Sequence, residues 1–199
     1  MKATVMDYGV GNLHSISKAL ERAGAEVEIV DDPSRLLEAE CIVFPGVGAF
    51  GAAANRLRPM LPALRGRISN GLPVLGVCLG MQLLFERSAE SAGDGVAVLA
   101  GNVVRIAAER VPHMGWNDVE AKDDPLFEGV PEGSKFYFAN SFICRPEENI
   151  TIAETVYGER FVSAVRKGCV CGVQFHPEKS AGPGLRVIEN FVRIAEGST

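Results

Sequence analysis

The sequence has the composition of an ordinary soluble globular protein. It contains 199 residues, 47% of them hydrophobic and 23% charged, and its formal net charge is −5. A chain of this length buries about 70% of the surface that it exposes when unfolded, so it needs no metal or disulfide for stability. The acidic balance and the lack of a Lys/Arg cluster argue against nucleic-acid binding.

Membrane-bound and disulfide-stabilised proteins are also disfavoured. No apolar run approaches the roughly 20 residues of a membrane span, and Asp7 interrupts the N-terminus before a signal-peptide core could form. We therefore expect a cytoplasmic protein with no membrane partner. An odd number of cysteines, five, indicates reduced thiols. Cys169 and Cys171 lack a second pair at zinc-finger spacing, so no metal site is expected.

The first half of the chain alternates short apolar strands with helices. Strands are predicted at residues 2–7, 25–30, 41–44 and 73–77. Helices are predicted after the first glycine turn and at residues 61–69 and 79–86. Apolar strands separated by helices indicate a parallel sheet that is covered on both faces.

Beyond about residue 92 the pattern changes to alternating polar and apolar positions. Strands are predicted at residues 102–106, 135–140, 151–156, 161–166 and 169–175. Turns at Gly158 and Gly168 would make several of them antiparallel, and a last helix follows around residues 185–195. The expected fold is one α/β domain over residues 1–199: a three-layer open sheet, largely parallel, with helices on both faces and an antiparallel C-terminal portion.

The first glycine turn resembles part of a dinucleotide-binding motif. It reads Gly9-Val10-Gly11, but the third glycine position of G-x-G-x-x-G is His14. A tight strand-to-helix turn is therefore the better interpretation.

A stronger motif, Gly76-Val77-Cys78-Leu79-Gly80, lies between an apolar strand and a predicted helix. This G-x-C-x-G turn has the form of a nucleophile elbow, in which the glycines permit a tight turn that presents the central side chain. The start of a helix would favour the Cys78 thiolate, and the Leu79 N–H could face an oxyanion. Taken alone, the turn is equally compatible with a cysteine buried as a small hydrophobe.

A nucleophilic cysteine needs a base, and the sequence contains three histidines. His14 falls in the first predicted helix and His113 in a predicted loop, and a structural role is the better interpretation of both. His176 differs, because it ends an apolar strand and would be held there in an extended conformation by the following proline.

An acid follows this histidine closely. Glu178 lies two residues beyond His176, where its carboxylate can accept from the imidazole N–H and hold the tautomer. The predicted triad is thus Cys78, His176 and Glu178, provided that both strand ends lie at the same edge of the sheet. An acid after the histidine argues against a common α/β-hydrolase.

A second glycine turn, Pro45-Gly46-Val47-Gly48, follows another predicted strand. By itself it is best interpreted as a plain turn. Beside a Cys–His–Glu set, its glycines could aim backbone N–H groups at an oxyanion, which is the interpretation that we favour.

Taken together, these motifs resemble one known family, the class I (triad-type) glutamine amidotransferases. The matching segments are Pro45-Gly46-Val47-Gly48, Gly76-Val77-Cys78-Leu79-Gly80-Met81-Gln82 and His176-Pro177-Glu178. Within that family the chain is similar to the glutaminase subunits of imidazole glycerol phosphate synthase, through Asp7-Tyr8-Gly9-Val10-Gly11-Asn12-Leu13, Pro112-His113-Met114-Gly115-Trp116-Asn117 and Lys179-Ser180. The resemblance covers essentially the whole chain and implies a class I glutamine amidotransferase-like fold.

The resemblance also implies a role for each matching residue. Cys78 would attack the side-chain amide of glutamine, His176 would protonate the departing ammonia, and Glu178 would orient the histidine. The oxyanion would be stabilised at Val47, Gly48 and Leu79. Glutamine would be held by Gly46, Gln82, Ser141 and Phe142. No cofactor is implied.

The sequence departs from the family pattern at two positions. Asn140 stands where the family usually has His, and Phe142 where it usually has Tyr. Asn140 can form hydrogen bonds but cannot titrate near neutral pH. The departures affect local glutamine contacts and signalling rather than the triad.

A partner subunit is expected, because the glutaminase pattern uses the whole chain and leaves no domain to consume ammonia. The resemblance implies a TIM-barrel cyclase that forms a heterodimer with this chain in histidine biosynthesis. The implied interface residues are Asn12, Trp116, Tyr137 and Lys179. A buried Trp116 and a solvated Lys179 are the ordinary alternatives. We expect docking to activate the glutaminase by reordering the Val47 peptide.

Two other interpretations remain open at this stage. A glutaminase subunit of another enzyme, such as pyridoxal phosphate synthase, would keep Cys78, His176 and Glu178 but serve a different acceptor. Alternatively, the chain is a non-catalytic interaction subunit of the same fold, with Cys78 merely buried or redox-sensitive.

Overall fold

The structure is a computed structural model that describes residues 1–9 and 13–197. Within these residues a large mixed sheet and a separate two-stranded sheet contain, in chain order, β1 (Lys2–Met6), β2 (Glu26–Val30), β3 (Cys41–Phe44), β4 (Val74–Val77), β5 (Arg87–Ser88), β6 (Ser91–Asp94), β7 (Gly101–Arg105), β8 (His113–Asp118), β9 (Glu120–Ala121), β10 (Lys135–Asn140), β11 (Phe142–Pro146), β12 (Thr151–Tyr157), β13 (Glu159–Lys167) and β14 (Val170–Val173). The helices are α1 (Leu13–Arg22), α2 (Phe50–Leu57), α3 (Leu61–Ser69), α4 (Leu79–Leu83) and α5 (Ala181–Glu196).

Half of the large sheet is parallel. Its order is β2-β1-β3-β4-β14, with every neighbouring pair parallel. Strands β3, β4 and β14 are buried along their whole length, as expected where helices cover both faces. The pairing of β4 with β14 aligns Val77 with Val173, so the two strands end side by side.

The other half of the sheet is largely antiparallel. Strand β14 pairs with β13, which pairs with both β11 and β12. Gly158 and Gly168 form the tight turns between these strands with positive φ angles of 71° and 62°, which glycine adopts without strain. The predicted architecture of a three-layer sheet with an antiparallel C-terminal portion is confirmed.

Two apolar cores lie on opposite faces of the sheet. Helices α1 and α5 cover one face, where Ile16, Leu20 and Phe191 belong to one cluster of buried side chains. Helices α2, α3 and α4 cover the other, where Phe50 and Leu64 belong to a second cluster. None of the helices that the structure describes has both the length and the apolar character needed to cross a membrane.

Several elements differ from the sequence prediction. The segment around His113 was predicted as a loop, but it is strand β8, which pairs with β10 outside the large sheet. The helix predicted over residues 79–86 ends at Leu83, because the chain turns there into β5. Helix α2 was not predicted. Its N-terminus carries no side-chain cap that would mark a helix start, although Phe50, Ala53, Ala54 and Leu57 recur at helical spacing and are buried.

Close backbone packing accounts for both glycines of the G-x-C-x-G turn. A Cβ atom on Gly80 would lie 1.9 Å from the carbonyl oxygen of Phe44, and one on Gly76 would lie 2.5 Å from that of Gly80. Real Cβ atoms do not approach backbone oxygen this closely. Helix α4 therefore packs directly on the end of β3 only because both positions lack side chains.

We expect Gly80→Ala to destabilise the fold by several kcal/mol, on the order of 3 or more, because neither the helix nor β3 can move without disturbing a close-packed core. Gly66→Ala is the matched control. Gly66 lies within α3 with nothing within 4 Å of its Cβ position, and alanine there should be neutral or stabilising by up to about 1 kcal/mol. Thermal and urea unfolding of both variants would test this, and equal stabilities would contradict it.

Candidate active site

Cys78 occupies a sharp turn between β4 and α4. Its φ and ψ angles are 49° and −103°, which is an uncommon conformation for a residue with a side chain and costs on the order of 1–3 kcal/mol. Its N–H donates to the carbonyl oxygen of Val173 at 2.7 Å, which ties the turn to the end of β14. The thiol side chain is nearly buried, with 5% of the residue exposed.

His176 lies beyond the end of β14 in an extended conformation, as the following proline predicts. Its N–H donates to the carbonyl oxygen of Tyr137 at 2.8 Å, forming a bridge to β10. A 3-10 turn, Pro177–Lys179, then brings Glu178 back beneath the imidazole. The His176 Nδ1 and Glu178 Oε1 atoms lie 2.9 Å apart, and both side chains are buried.

Cys78, His176 and Glu178 therefore form a connected set. Burial lowers the pKa of His176, but hydrogen bonds with Cys78 and Glu178 outweigh it and raise the pKa to about 10. The charged form of His176 is thus favoured over the neutral form. It lies between the Cys78 sulfur and the Glu178 carboxylate, where it can transfer a proton during a reaction at the sulfur.

Ser180 holds this turn in place. Its buried hydroxyl donates to the carbonyl oxygen of His176 at 2.6 Å and accepts from the N–H of Tyr137 at 2.9 Å. With the direct bridge between His176 and Tyr137, these bonds fasten the base to β10. The position of the histidine thus depends on the hairpin of β8 and β10.

One cavity of about 290 Å³ opens onto the thiol. It brings together most of the residues that the sequence analysis proposed as a site, and its lining comprises Gly46, Val47, Gly48, Cys78, Gln82, Glu90, Ala139, Asn140, Ser141, Phe142, His176 and Lys179. Glu178 is not in this lining because it lies behind His176. Gly46 must be glycine, since its Cβ would lie 2.9 Å from His176 Cε1 and 3.0 Å from Cys78 Cβ.

The residues predicted to form the oxyanion site lie around the thiol. Val47 and Gly48 line the cavity, and Gly48 has a φ of 119° that favours glycine. Leu79 is the first residue of α4, so its N–H has no acceptor within the helix. Its side chain packs into the core beneath α2, α3 and α4. Because α4 has only five residues, the predicted helix dipole beside Cys78 is smaller than for a long helix.

Comparison with known proteins decides the family. The family model for glutamine amidotransferase class-I matches residues 4–195. The chain belongs to this family. The resemblance predicted from the sequence motifs is thereby confirmed.

The chain is similar over its length to proteins named imidazole glycerol phosphate synthase subunit HisH. It is 48% identical to the one from Thermococcus kodakarensis, with 96% of this chain and 98% of that protein covered. It is 44% identical to the one from Aquifex aeolicus, with both chains covered completely. Among solved structures, a crystal structure of glutamine amidotransferase has a TM-score of 0.77 at 24% identity, covering 97% of this chain and 98% of that one, which supports the fold.

In this class-I glutamine amidotransferase, the two positions expected to depart from the family pattern, Asn140 and Phe142, meet at one carbonyl oxygen. The Asn140 Nδ2 atom donates to the oxygen of Phe142 at 3.0 Å, and the Gln82 Nε2 atom donates to the same oxygen at 3.1 Å. Asn140 therefore fixes the backbone that lines the cavity beside Ser141. The Oδ1 atom of Asn140 is buried without a partner among the described residues.

Two residues of this region were missed by the sequence analysis. Glu90 lines the cavity and accepts from the N–H of Phe50 at 2.6 Å, but its loop carries no pattern that would reveal it. Gln174 donates from Nε2 to the Cys78 Sγ atom at 3.4 Å. An amide inside an otherwise apolar strand end was the signal that could have identified Gln174.

Two of the proposed interface residues, Trp116 and Tyr137, lie on the outer side of the hairpin. Strand pairing places Trp116 opposite Tyr137, with their rings edge to face at 6.2 Å. Lys179 Nζ lies 5.7 Å from the Tyr137 ring. Trp116 is 53% exposed, which argues against a purely core role. Asn12 lies outside the residues that the structure describes.

Neither of the other two histidines lines the cavity beside Cys78. His14 is exposed on α1. His113 is buried between the rings of Phe138 and Tyr157, whose centroids lie 4.6 and 4.0 Å away. Burial lowers the pKa of His113 to about 4, so it is neutral at physiological pH.

Other features of the described residues offer less chemistry. A larger cavity of about 520 Å³ lies at the Asp118 end of the hairpin, and no cysteine or histidine lines it. Within residues 1–9 and 13–197, no three His, Cys, Asp or Glu side chains are grouped to hold a metal ion.

We expect Glu178→Gln to lower the His176 pKa, because a neutral amide stabilises the imidazolium less than a carboxylate does. NMR titration of the imidazole resonances would measure this, with exposed His14 as an internal reference in the same spectra. Since the folded pKa of about 10 exceeds the ordinary value of 6.5, the imidazolium stabilises the fold fully below about pH 6.5, and this contribution is lost as the pH rises through about 10. An unchanged His176 titration in the variant would refute the assignment.

Proposed function

We propose that this chain hydrolyses glutamine to glutamate and ammonia through Cys78, His176 and Glu178, and delivers the ammonia to a cyclase subunit. The cyclase makes imidazole glycerol phosphate and aminoimidazole carboxamide ribonucleotide in histidine biosynthesis. The observation that carries the proposal is the buried triad beside a cavity, in a chain that is similar throughout its length to HisH subunits.

The geometry supports a two-step acyl transfer. The Cys78 sulfur attacks the side-chain amide carbon of glutamine, and the new S–C bond forms as the carbonyl oxygen becomes negative. His176 gives its proton to the amide nitrogen, the C–N bond breaks, and ammonia leaves a thioester on Cys78. Water then attacks the thioester, His176 takes its proton, and glutamate departs with return of the thiol.

Backbone N–H groups around the thiol would stabilise the oxyanion in both steps. Val47 and Gly48 line the cavity beside Cys78, and the Leu79 N–H begins α4 directly after it. Donors that already face the developing charge typically contribute about 2.7–4 kcal/mol each.

The rest of the cavity suits an amino acid. Gly46, Gln82, Ser141 and Phe142 line it and would hold the glutamine. Glu90 adds a carboxylate that can pair with the α-ammonium group of the substrate, a contact that is charge-assisted and therefore strong.

We expect Cys78→Ala to lower glutamate release by about 1,000-fold or more, because no other group in the cavity can form the thioester. The assay would use the purified chain alone and with the cyclase subunit and its nucleotide. Cys169→Ala is the matched control, since Cys169 is a half-buried thiol whose sulfur donates to the Gly71 carbonyl away from the cavity, and it should retain full activity.

The outcomes separate the competing functions. Stimulation by the cyclase that disappears in Cys78→Ala supports both the triad and the partner. Constant hydrolysis without stimulation would retain the glutaminase and remove the cyclase. Hydrolysis that survives Cys78→Ala would overturn the triad.

The proposed partner is a TIM-barrel cyclase that docks on the outer face of the hairpin, defined as Met114, Trp116, Tyr137 and Ala139. Met114 and Trp116 are 65% and 53% exposed, although large apolar side chains are normally buried. This face adjoins Lys179 and the cavity, so a subunit bound here would receive ammonia without exposing it to water. Asn12 and Lys179 would belong to the same interface.

We expect Trp116→Ala to weaken assembly with the cyclase by about 10-fold or more, since an exposed aromatic at the centre of an interface is a typical hot spot. Ile29→Ala is the control, because Ile29 is similarly exposed, at 49%, but lies on β2 at the far edge of the sheet. Titration calorimetry of both variants would measure the change. Equal affinities would place the interface elsewhere.

A glutaminase subunit serving another synthase is the alternative. It is disfavoured because the relatives at 42–48% identity that cover nearly the whole chain are named as HisH subunits of imidazole glycerol phosphate synthase. Recovery of a different synthase in a pull-down with this chain would reverse that preference.

A further inference from the structure

A chain of buried amides connects the glutamine cavity to the Cys78 sulfur. The Gln82 Nε2 atom lies 3.1 Å from the carbonyl oxygen of Phe142 and 3.3 Å from the Oε1 atom of Gln174. The Gln174 Nε2 atom lies 3.4 Å from Cys78 Sγ. Gln174 is completely buried, and Gln82 is 5% exposed.

The direction of these bonds follows from one acceptor. The carbonyl oxygen of Phe142 only accepts, so it fixes which end of the Gln82 amide is the NH₂ group. The second N–H of that group needs an acceptor, which places Oε1 of Gln174 toward it. The NH₂ group of Gln174 is then directed at the sulfur. Reversing the Gln174 amide would place its NH₂ group against the NH₂ group of Gln82, so that two donors would face each other.

The sulfur has a different partner in each of its protonation states. As a thiol it can donate to the carbonyl oxygen of Ala139 at 3.9 Å. As a thiolate it can no longer donate, and it then needs N–H groups that donate to it. Gln174 offers one from below the turn, and His176 offers the other.

We propose that Gln174 is a positioning residue for the nucleophile: its amide donates to the Cys78 thiolate, and its orientation is set by Gln82, which lines the glutamine cavity. The proposal rests on the proposed role of Cys78 as nucleophile. As a consequence, Gln82, which faces the substrate, is hydrogen-bonded directly to Gln174, the residue that holds the reacting sulfur.

The sulfur also has ionisable neighbours that a substitution at Gln174 leaves in place. His176 faces it with Glu178 behind, and Cys144 lies close enough to interact with it electrostatically. Glu90 and Lys179 line the same cavity. Any change in the behaviour of Cys78 in a Gln174 variant therefore reports the lost amide.

The test measures the rate of Cys78 alkylation by iodoacetamide across a range of pH, with each cysteine resolved by mass spectrometry of its peptide. This reaction needs no glutamine and no cyclase. Half-buried Cys169 provides an internal reference in every sample. Thermal unfolding and circular dichroism would establish that each variant is folded.

Two variants at Gln174 separate its donor from its packing. Gln174→Met keeps the length but removes the donor, and the midpoint of Cys78 alkylation should rise by about one pH unit, since hydrogen bonds to charged groups are worth about that much. Gln174→Glu keeps the acceptor for Gln82 but sets a carboxylate beside the thiolate, so its midpoint should rise further. In the complex with cyclase, kcat/KM for glutamine should fall about 10-fold in Gln174→Met.

Ser163→Ala is the matched control. The carbonyl oxygen of Ser163 accepts from the Gln174 N–H at 2.8 Å, while its buried hydroxyl has no hydrogen-bond partner among the described residues. Removing that hydroxyl disturbs the same part of the core without touching the amide chain, so the midpoint should stay at the wild-type value.

Slower alkylation at an unchanged midpoint in both folded Gln174 variants would mean that the residue only packs, and would overturn the proposal. If those variants do not fold, Gln82→Met decides, since freeing Oε1 of Gln174 should raise the midpoint by a smaller amount, and no rise would again overturn it. Failure of the proposed function has a different signature: glutamine hydrolysis that survives Cys78→Ala.

Discussion

The parallel pairing of β4 with β14 is the constraint on which the site depends. Their register aligns Val77 with Val173, and the Cys78 N–H donates to the Val173 oxygen at 2.7 Å. The two strands come from distant parts of the sequence, yet their ends lie side by side at one edge of the sheet. The same register pairs Gly76 with Gly172, and a Cβ at either position would lie within 3 Å of an atom of α4. A slip in register would force a side chain into α4, so the distance between nucleophile and base is fixed by the core.

The site also depends on close packing of backbone segments around Cys78. Gly46, Gly76 and Gly80 each lie where a Cβ would come within about 3 Å of neighbouring atoms. The close packing of backbone at these glycines holds Cys78 at its positive φ of 49°, a conformation that costs on the order of 1–3 kcal/mol. The strained turn persists because β3, β4 and α4 together leave no room for relaxation, and the sulfur is presented to the cavity as a result.

The sequence predicted the structure well where a residue type restricts its own backbone conformation. The proline after His176 predicted the extended base, and Gly158 and Gly168 predicted the antiparallel turns, because each depends on allowed φ values alone. It was less informative where long-range packing decides. The segment of β8 was predicted as a loop, and its large apolar residues Met114 and Trp116 are exposed rather than buried. Nothing local indicates that it pairs with β10 outside the main sheet.

The same distinction applies to the candidate site. Cys78 and Glu178 could be proposed from motifs with a chemical purpose. Glu90 belongs to no such motif, and the contact of Gln174 with the sulfur forms only when separate segments meet around the cavity. A buried amide in an apolar strand is a useful sign in retrospect, since such a group requires hydrogen-bond partners and those partners lie at the site.

The hairpin of β8 and β10 links the exposed face to the triad through its backbone. The outer side of β10 carries Tyr137, whose carbonyl oxygen accepts from the His176 N–H, and the Ala139 oxygen faces the Cys78 sulfur. A subunit bound on the outer face would therefore contact β10, the strand whose backbone oxygens contact His176 and face Cys78. Coupling between docking and chemistry would then require two arrangements of β10, because its backbone oxygens contact His176 and face Cys78.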